Sequence, residues 1–310
     1  MAPRIVTLTV NPALDVAMEA GEVRPGHKIR TRGTTYDPGG GGINVARVIH
    51  ALGGEVLAVM ATGGPTGRFI EQLLADDGVP YRAVTVAGAT RISLTVRETS
   101  SGAEYRFVPE GALLKPSDAE DILSWLADLS ADWLVASGSL SPGFPVDFYA
   151  RVARLAQREE MRFALDTSGL ALEAALHQGV DLLKTSLSEF HSIVGSTTSD
   201  RDTLAEQASR LAAAGAASMI ALTLGDRGAI LAMPERRIVQ PAPSTRICSS
   251  VGAGDSFLAG LVLGLARRQT PDEALRLAIA AGAAAVTSRG TARVTLQQVE
   301  TFLAAARAEA

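Results

Sequence analysis

The chain has 310 residues, 47% hydrophobic and 20% charged, enough for one large α/β domain or two ordinary ones. A formal net charge of −4 argues against a general nucleic-acid binder, so an anionic ligand must be met by local positive groups. No apolar stretch reaches the roughly 20 residues that span a bilayer, no signal-peptide pattern precedes the first strand, and the single cysteine excludes an internal disulfide. A reducing cytoplasm is the natural setting, and Cys248 reads as a small apolar residue rather than a nucleophile.

Residues 5–10 read as the first strand, ended by Asn11-Pro12. After a glycine run at 39–42, Val45, Val48, Ile49 and Leu52 fall at helical spacing and predict a helix over 43–52, closed by Gly53-Gly54. A strand over 56–61 and a helix over 69–76 follow. Strands near 133–137, 163–166, 182–184 and 219–224 alternate with amphipathic helices. That alternation predicts βαβ units and a mostly parallel sheet with helices on both faces.

Two stretches, 16–36 and 84–108, carry short alternating runs with no helix between them. Within the second, 92–97 and 104–108 flank the turn Ser100-Ser101-Gly102. They predict a small antiparallel sheet projecting from the main domain. One of its faces has no core behind it, so it must cover a ligand, meet a partner subunit, or do both. With no linker and no fixed-period repeat, 1–310 reads as a single domain. Trp125 and Trp133 fall beside expected core positions. His27, His50, His177 and His191 show no zinc-type spacing.

Three segments carry chemistry. Asp15 lies just past the first strand, where ligands gather in open α/β sheets; it reads either as a holder of sugar hydroxyls or as a solvated turn residue. The run Asp37-Pro38-Gly39-Gly40-Gly41-Gly42-Ile43-Asn44-Val45-Ala46-Arg47 permits close backbone approach to a ligand. Asn44, in the first helical turn, both donates and accepts; a flexible turn with Asn44 near a cap is the equal alternative. A nicotinamide fingerprint fits poorly, because 56–61 ends in Ala61-Thr62-Gly63-Gly64 with no acidic ribose partner. The third segment, Ser250-Val251-Gly252-Ala253-Gly254-Asp255-Ser256-Phe257, leads into the apolar run 258–266. Its glycine turn and free helix N–H groups make an anion site, and Asp255 is a carboxylate in the first turn. A phosphate cradle beside a proton acceptor is what a kinase of small alcohols needs.

These three segments, in this order and together with Ser137-Gly138-Ser139-Leu140, resemble the PfkB branch of the ribokinase superfamily over essentially the whole chain. Gly41 stands where 1-phosphofructokinases and tagatose-6-phosphate kinases usually carry lysine, which favours the 6-phosphofructokinase group. The resemblance implies a three-layer α/β/α sandwich with a β-sheet lid, often shared across a homodimer. It implies ATP-dependent phosphorylation of fructose 6-phosphate at the C1 hydroxyl, with 1-phosphofructokinase or tagatose-6-phosphate kinase activity as the neighbouring possibility; a weakly catalytic sugar-phosphate binder, suggested by Ser186, is opposed by Asp255 and the intact glycine turn. Asp255 would take the C1 proton, and the amides of Gly252, Ala253 and Gly254 would stabilise the transferring phosphoryl group. Asp15, Gly40, Gly41 and Asn44 would hold the sugar. Lys28 would lie between sugar and γ-phosphate, and Arg30, Arg91 and Ser139 would hold the existing phosphate.

On the nucleotide side the resemblance implies Lys184, Ser186, Thr223, Gly225, Gly228, Ser250, Gly282 and Ser288. Glu189 would organise Mg²⁺ through water. Ser186 stands where the family typically has asparagine, and Thr185 where it has proline; a serine hydroxyl still suits a metal-bound water. Pro109-Glu110 departs from the apolar residue and proline that close relatives carry before Gly111. Arg289-Gly290-Thr291 is expected to form a loop near the adenine.

Overall fold

The structure, a computed structural model, describes residues 4–288, 290–291 and 293–308, with side chains to residue 305. Arg289 lies outside the described residues. The chain opens with β1 (Arg4–Thr9), β2 (Ala13–Ala20), β3 (Thr31–Gly39), α1 (Gly41–Ala51), β4 (Glu55–Thr62) and α2 (Gly64–Asp76). It continues through β5 (Tyr81–Thr85), β6 (Arg91–Glu98), β7 (Glu104–Phe107), α3 (Pro116–Ala127) and β8 (Trp133–Ser137). Then come α4 (Phe148–Arg158), β9 (Arg162–Asp166), α5 (Gly169–Gln178), β10 (Val180–Ser186), α6 (Leu187–Val194) and α7 (Arg201–Ala213). β11 (Ala217–Thr223), β12 (Ala229–Ala232), β13 (Arg237–Gln240), α8 (Ala253–Ala266), α9 (Pro271–Thr287) and α10 (Leu296–Ala308) complete it.

Nine strands form one sheet in the order β13-β12-β11-β10-β9-β8-β1-β4-β5. It is parallel from β5 to β11, and β12 and β13 add an antiparallel edge. The strands are apolar on both faces because helices cover both. In β8, Trp133 and Val135 pack with α1, α8 and α9, whereas Leu134 and Ala136 pack with α3, α4 and α7. The result is the mostly parallel sheet with helices on both faces expected from the alternation, and the three-layer α/β/α sandwich that the resemblance implies. The helix expected over 69–76 begins earlier, at Gly64, with Pro65 in its first turn, where a missing N–H costs no hydrogen bond. Trp133 is buried.

A second sheet has the order β3-β2-β6-β7. It reaches down to Ala13 and Gly39, and residues 84 and 85 belong instead to β5 of the large sheet. The expected all-antiparallel pairing needs correcting: β2–β3 and β6–β7 are antiparallel, but the central pair β2–β6 is parallel. The cause is topological. β2 and β6 follow β1 and β5, which run the same way in the large sheet, so both leave from the same end in the same direction. Among the described residues no helix is long and apolar enough to cross a membrane.

Candidate active site

From β1 the large sheet grows through β4 and β5 in one direction and through β8 to β11 in the other. Such a reversal opens a crevice at the carboxyl ends of the strands. Ser137 ends β8, Asp166 ends β9 and Ser186 ends β10, so three polar side chains arrive at that crevice from adjacent strands. The glycine run enters it as the start of α1. A Cβ on Gly41 would strike the Ser137 hydroxyl, so only glycine lets the two meet.

Asp255 lies in the first turn of α8, whose N-cap Gly252 takes a left-handed φ of 77°. Its carboxylate is clamped: Asn44 Nδ2 donates to Oδ2 at 2.9 Å, and Ser137 Oγ donates to Oδ1 at 3.3 Å. Ser137 also lies 3.5 Å from Asp166 Oδ2, but one hydroxyl has one proton, and the nearer acceptor is Asp255. Asn44 Oδ1 is buried without a partner, leaving a strong acceptor available to a ligand hydroxyl. Burial pushes the Asp255 carboxyl up to about 6; the charge of Asp166 adds to the rise, and the Asn44 bond, Lys184 and Ser137 limit it.

Lys184, on β10, donates to Asp166 Oδ2 at 2.9 Å with only 10% of its side chain exposed. Desolvation opposes the ammonium charge, but Asp166 and the further charges of Asp255 and Glu189 together outweigh it and hold the Lys184 pKa above its ordinary value. A Cβ on Gly254 would lie 2.9 Å from Lys184 Nζ, so the ammonium sits against the first turn of α8. A cation at the positive end of a helix is unfavourable by itself. It is stable here because Asp166 neutralises it, and the same spot favours any further anion. Ser186 and Glu189 form a capping box at α6: the Ser186 backbone N–H and hydroxyl each donate to Glu189 Oε2 at 2.7 Å. Oε1 of Glu189 carries no hydrogen bond among the described residues.

The sugar side is built from β2, β3 and β6. Asp15 lies over Gly39, where any Cβ would collide with its carboxylate. Burial pushes Asp15 up to about 6, the Thr291 hydroxyl opposes that rise, and the charge of Asp37 adds to it. Arg91 donates to the carbonyls of Pro109 at 2.7 Å and Asn11 at 2.9 Å, and its Nε is buried without a partner. Asn11 Nδ2 reaches Ser139 Oγ at 3.3 Å and the Glu110 carbonyl at 2.8 Å, tying the Ser139 loop to the segment that follows β7. A cavity of about 440 Å³ lies under the second sheet, lined by Asp15, Ser93, Thr95 and Arg106 on one side and by Ser249 and Thr291 on the other.

The crevice therefore brings together Asp255, Gly252, Ala253, Gly254, Asn44, Gly41 and Lys184. Lys28 and Arg30 stand apart: both are exposed in the β2–β3 connection and make no hydrogen bond or ion pair among the described residues. Thr223 ends β11 and bonds the Thr185 carbonyl at 3.3 Å. Gly225 opens the short turn after it. Gly228 is required locally, since a Cβ there would collide with the Gln240 carbonyl. Ser250 precedes α8, Gly282 packs against the Ala253 carbonyl, and Ser288 caps α9. Among the described residues no group of three or more metal-ligating His, Cys, Asp or Glu occurs. Sequence reasoning missed Ser137 and Asp166, and their position at strand ends was the signal available. It also missed the Asp15–Thr291 bond, which draws Thr291 to the sugar side.

A sandwich with a β-sheet flap, a carboxylate at a glycine-capped helix and a lysine beside it defines a small-molecule kinase site. The family described as pfkB family carbohydrate kinase matches residues 11–298, and the chain belongs to that family. An ATP-dependent 6-phosphofructokinase isozyme 2 from Mycobacterium tuberculosis is 42% identical over 303 residues, 97% of this chain and 89% of that protein. The isozyme 2 enzyme of Escherichia coli is 37% identical over 290 residues, 93% of this chain and 94% of the other. The crystal structure of Escherichia coli phosphofructokinase-2 in complex with fructose-6-phosphate superposes with a TM-score of 0.93 at 34% identity, covering 98% of this chain and 99% of that one.

Proposed function

We propose that this protein transfers the γ-phosphoryl group of ATP to the C1 hydroxyl of fructose 6-phosphate, giving fructose 1,6-bisphosphate and ADP. The observation that carries the reading is the Asp255 carboxylate, held between Asn44 and Ser137 at the amino end of α8. In this position it accepts the C1 proton as the hydroxyl attacks. The amides of Gly252, Ala253 and Gly254 receive the negative charge of the migrating phosphoryl group, that of Ala253 in exchange for its 3.4 Å bond to the Ser250 carbonyl. Lys184 neutralises phosphate charge from the other side. Asp15 and the free oxygen of Asn44 orient the sugar, Gly40 and Gly41 let it approach the backbone, and Arg91 with Ser139 holds its phosphate. Lys28 and Arg30 close over the substrates from the lid loop. The nucleotide lies along Ser186, Thr223, Gly225, Gly228, Ser250, Gly282 and Ser288.

Mg²⁺ suits the donor set near Glu189, whose Oε1 is left for a metal-bound water, as Mg²⁺ keeps several of its waters. Held through water by Glu189, the ion would supply positive charge to offset that of the phosphates. Ser186 supports it less than asparagine would, since its hydroxyl is already spent on Glu189.

A coupled ADP-release assay with fructose 6-phosphate, fructose 1-phosphate and tagatose 6-phosphate, with and without Mg²⁺, tests the assignment. Fastest turnover on fructose 6-phosphate is the expected result. Preference for fructose 1-phosphate reassigns the phosphate site, and tight binding without turnover makes the protein a sugar-phosphate binder. Arg91→Ala is expected to raise KM for fructose 6-phosphate by roughly tenfold or more, because a charge-assisted hydrogen bond contributes about 1.5–3 kcal/mol. KM for ATP should barely move; equal shifts in both remove Arg91 from the phosphate site.

The second sheet also supports a homodimer. Its residues alternate: Ser93, Thr95 and Arg97 face the cavity, whereas Ile92 and Leu94 are exposed on the other face. Phe107 lies opposite Leu94, and Tyr36 and Leu94 both pair with Val16, so the exposed face is apolar. A second copy covering it would bury this patch. Leu94→Glu should convert the dimer to monomer in sedimentation; a monomeric wild type removes the proposal. The reducing cytoplasm fits a chain whose single cysteine is free and exposed.

A further inference from the structure

The segment after α9 returns across the domain to the sugar side. Thr291 is buried, and its hydroxyl donates to Asp15 Oδ2 at 3.2 Å across 276 positions of sequence. Its carbonyl accepts from Arg47 Nη1 at 2.9 Å. Arg47, on α1, has only 10% of its side chain exposed and lies 3.2 Å from Asp77 and 3.5 Å from Asp37. Arg293 donates to the same Asp37 oxygen at 2.8 and 3.1 Å. A Cβ on Gly290 would sit 3.1 Å from Asp37 Oδ2, so the segment lies directly on the root of β3.

Two anchors, Arg47 and Arg293, therefore bracket Thr291 and fix where its hydroxyl points. That hydroxyl occupies one oxygen of Asp15. The other, Oδ1, accepts no hydrogen bond among the described residues, and Asp15 lines the cavity. A half-buried carboxylate without a donor would turn freely or take a proton. With Thr291 on one oxygen, its plane is set and the second oxygen is presented to a ligand. We infer that Thr291 is a positioning residue for the sugar: it orients Asp15 to accept from a substrate hydroxyl, and Arg47 holds Thr291 in that role. The inference rests on the sugar-phosphate kinase reading above.

A purely structural role, pinning the C-terminal segment, would lower the melting temperature without selecting between substrates. Thr291→Val keeps the shape and removes the donor, whereas Thr291→Ser keeps the donor. Steady-state kinetics on both substrates, calorimetric titration of fructose 6-phosphate without nucleotide, and thermal melts are read on both variants and the wild type. Thr291→Val is expected to raise KM and Kd for fructose 6-phosphate about tenfold while KM for ATP stays within about twofold. Thr291→Ser should restore the sugar constants to within about twofold of wild type. Unchanged sugar constants in the valine variant overturn the inference, as do equal losses for both substrates or a serine variant no better than valine. If the wild type uses another of the three sugar phosphates, the same ratios are read on that one. A wild type that neither binds nor turns over any of them overturns the kinase reading and this inference together; an active wild type with an unmoved valine variant overturns this one alone.

Discussion

Asp255→Asn is expected to lower kcat by roughly 10²–10⁴-fold, the range that general-base assistance supplies. Fructose 6-phosphate should still bind nearly as in the wild type, because an amide fits between Asn44 and Ser137 with one acceptor and one donor. The same change should stabilise the protein at neutral pH. The Asp255 pKa is raised to about 6, so in the folded state its neutral form is favoured. That contribution is fully present below the unfolded value near 3.9 and is lost as pH rises through about 6. At pH 7 the ionised carboxylate therefore costs stability, on the order of 3 kcal/mol. Asparagine removes that cost, so the variant should melt higher at pH 7, with the gap closing toward pH 4. In the wild type, kcat should fall as pH drops through about 6, because a protonated Asp255 cannot accept the C1 proton. A variant of near-normal activity, or a flat acid limb down to pH 5, would remove Asp255 from the role of base.

Lys184→Met should have the second large effect, and of opposite sign on stability. Methionine keeps the length and removes the cation. Asp166 would then be buried without a partner beside a second carboxylate, Asp255. Removing one member of a buried pair typically costs about 3–5 kcal/mol, and the lower end suits a pair that retains some access to water. KM for ATP should rise and kcat fall, since the phosphate chain loses its neighbouring ammonium, while KM for the sugar should change least. Chemical denaturation with kinetics on both substrates measures all three. A variant as stable as the wild type would mean that Asp166 is already neutral without lysine.

The layered architecture and the three signature segments were legible in the sequence because they are local. Strands 5–10 and 133–137 are short, mostly apolar runs rich in β-branched or aromatic residues, and the glycine turns at 39–42 and 252–254 punctuate the chain. What was hidden is what pairing across distance creates. Nothing near Asp15 announces Thr291, and nothing in 92–97 says that its partner strand runs parallel. Ser137 stood inside a quoted motif without a role, because its importance comes from meeting Asp255 over 118 positions of chain. Gly228 shows the converse: a glycine that invites a nucleotide in sequence is demanded in the fold by a neighbouring carbonyl.

The strict two-fold alternation of β6 ties two properties to one reading frame. Ser93, Thr95 and Arg97 serve the cleft, and Ile92 and Leu94, interleaved with them, serve the outer face. Loss of one residue between Arg91 and Ser93 would exchange every following side chain between the surfaces. The cavity wall would then be waterproofed by Leu94 and Val96, and the outer face would carry the guanidinium of Arg97. Gene duplicates of such a protein can drift freely in loop length, but in this strand they can change only by substitution, position by position.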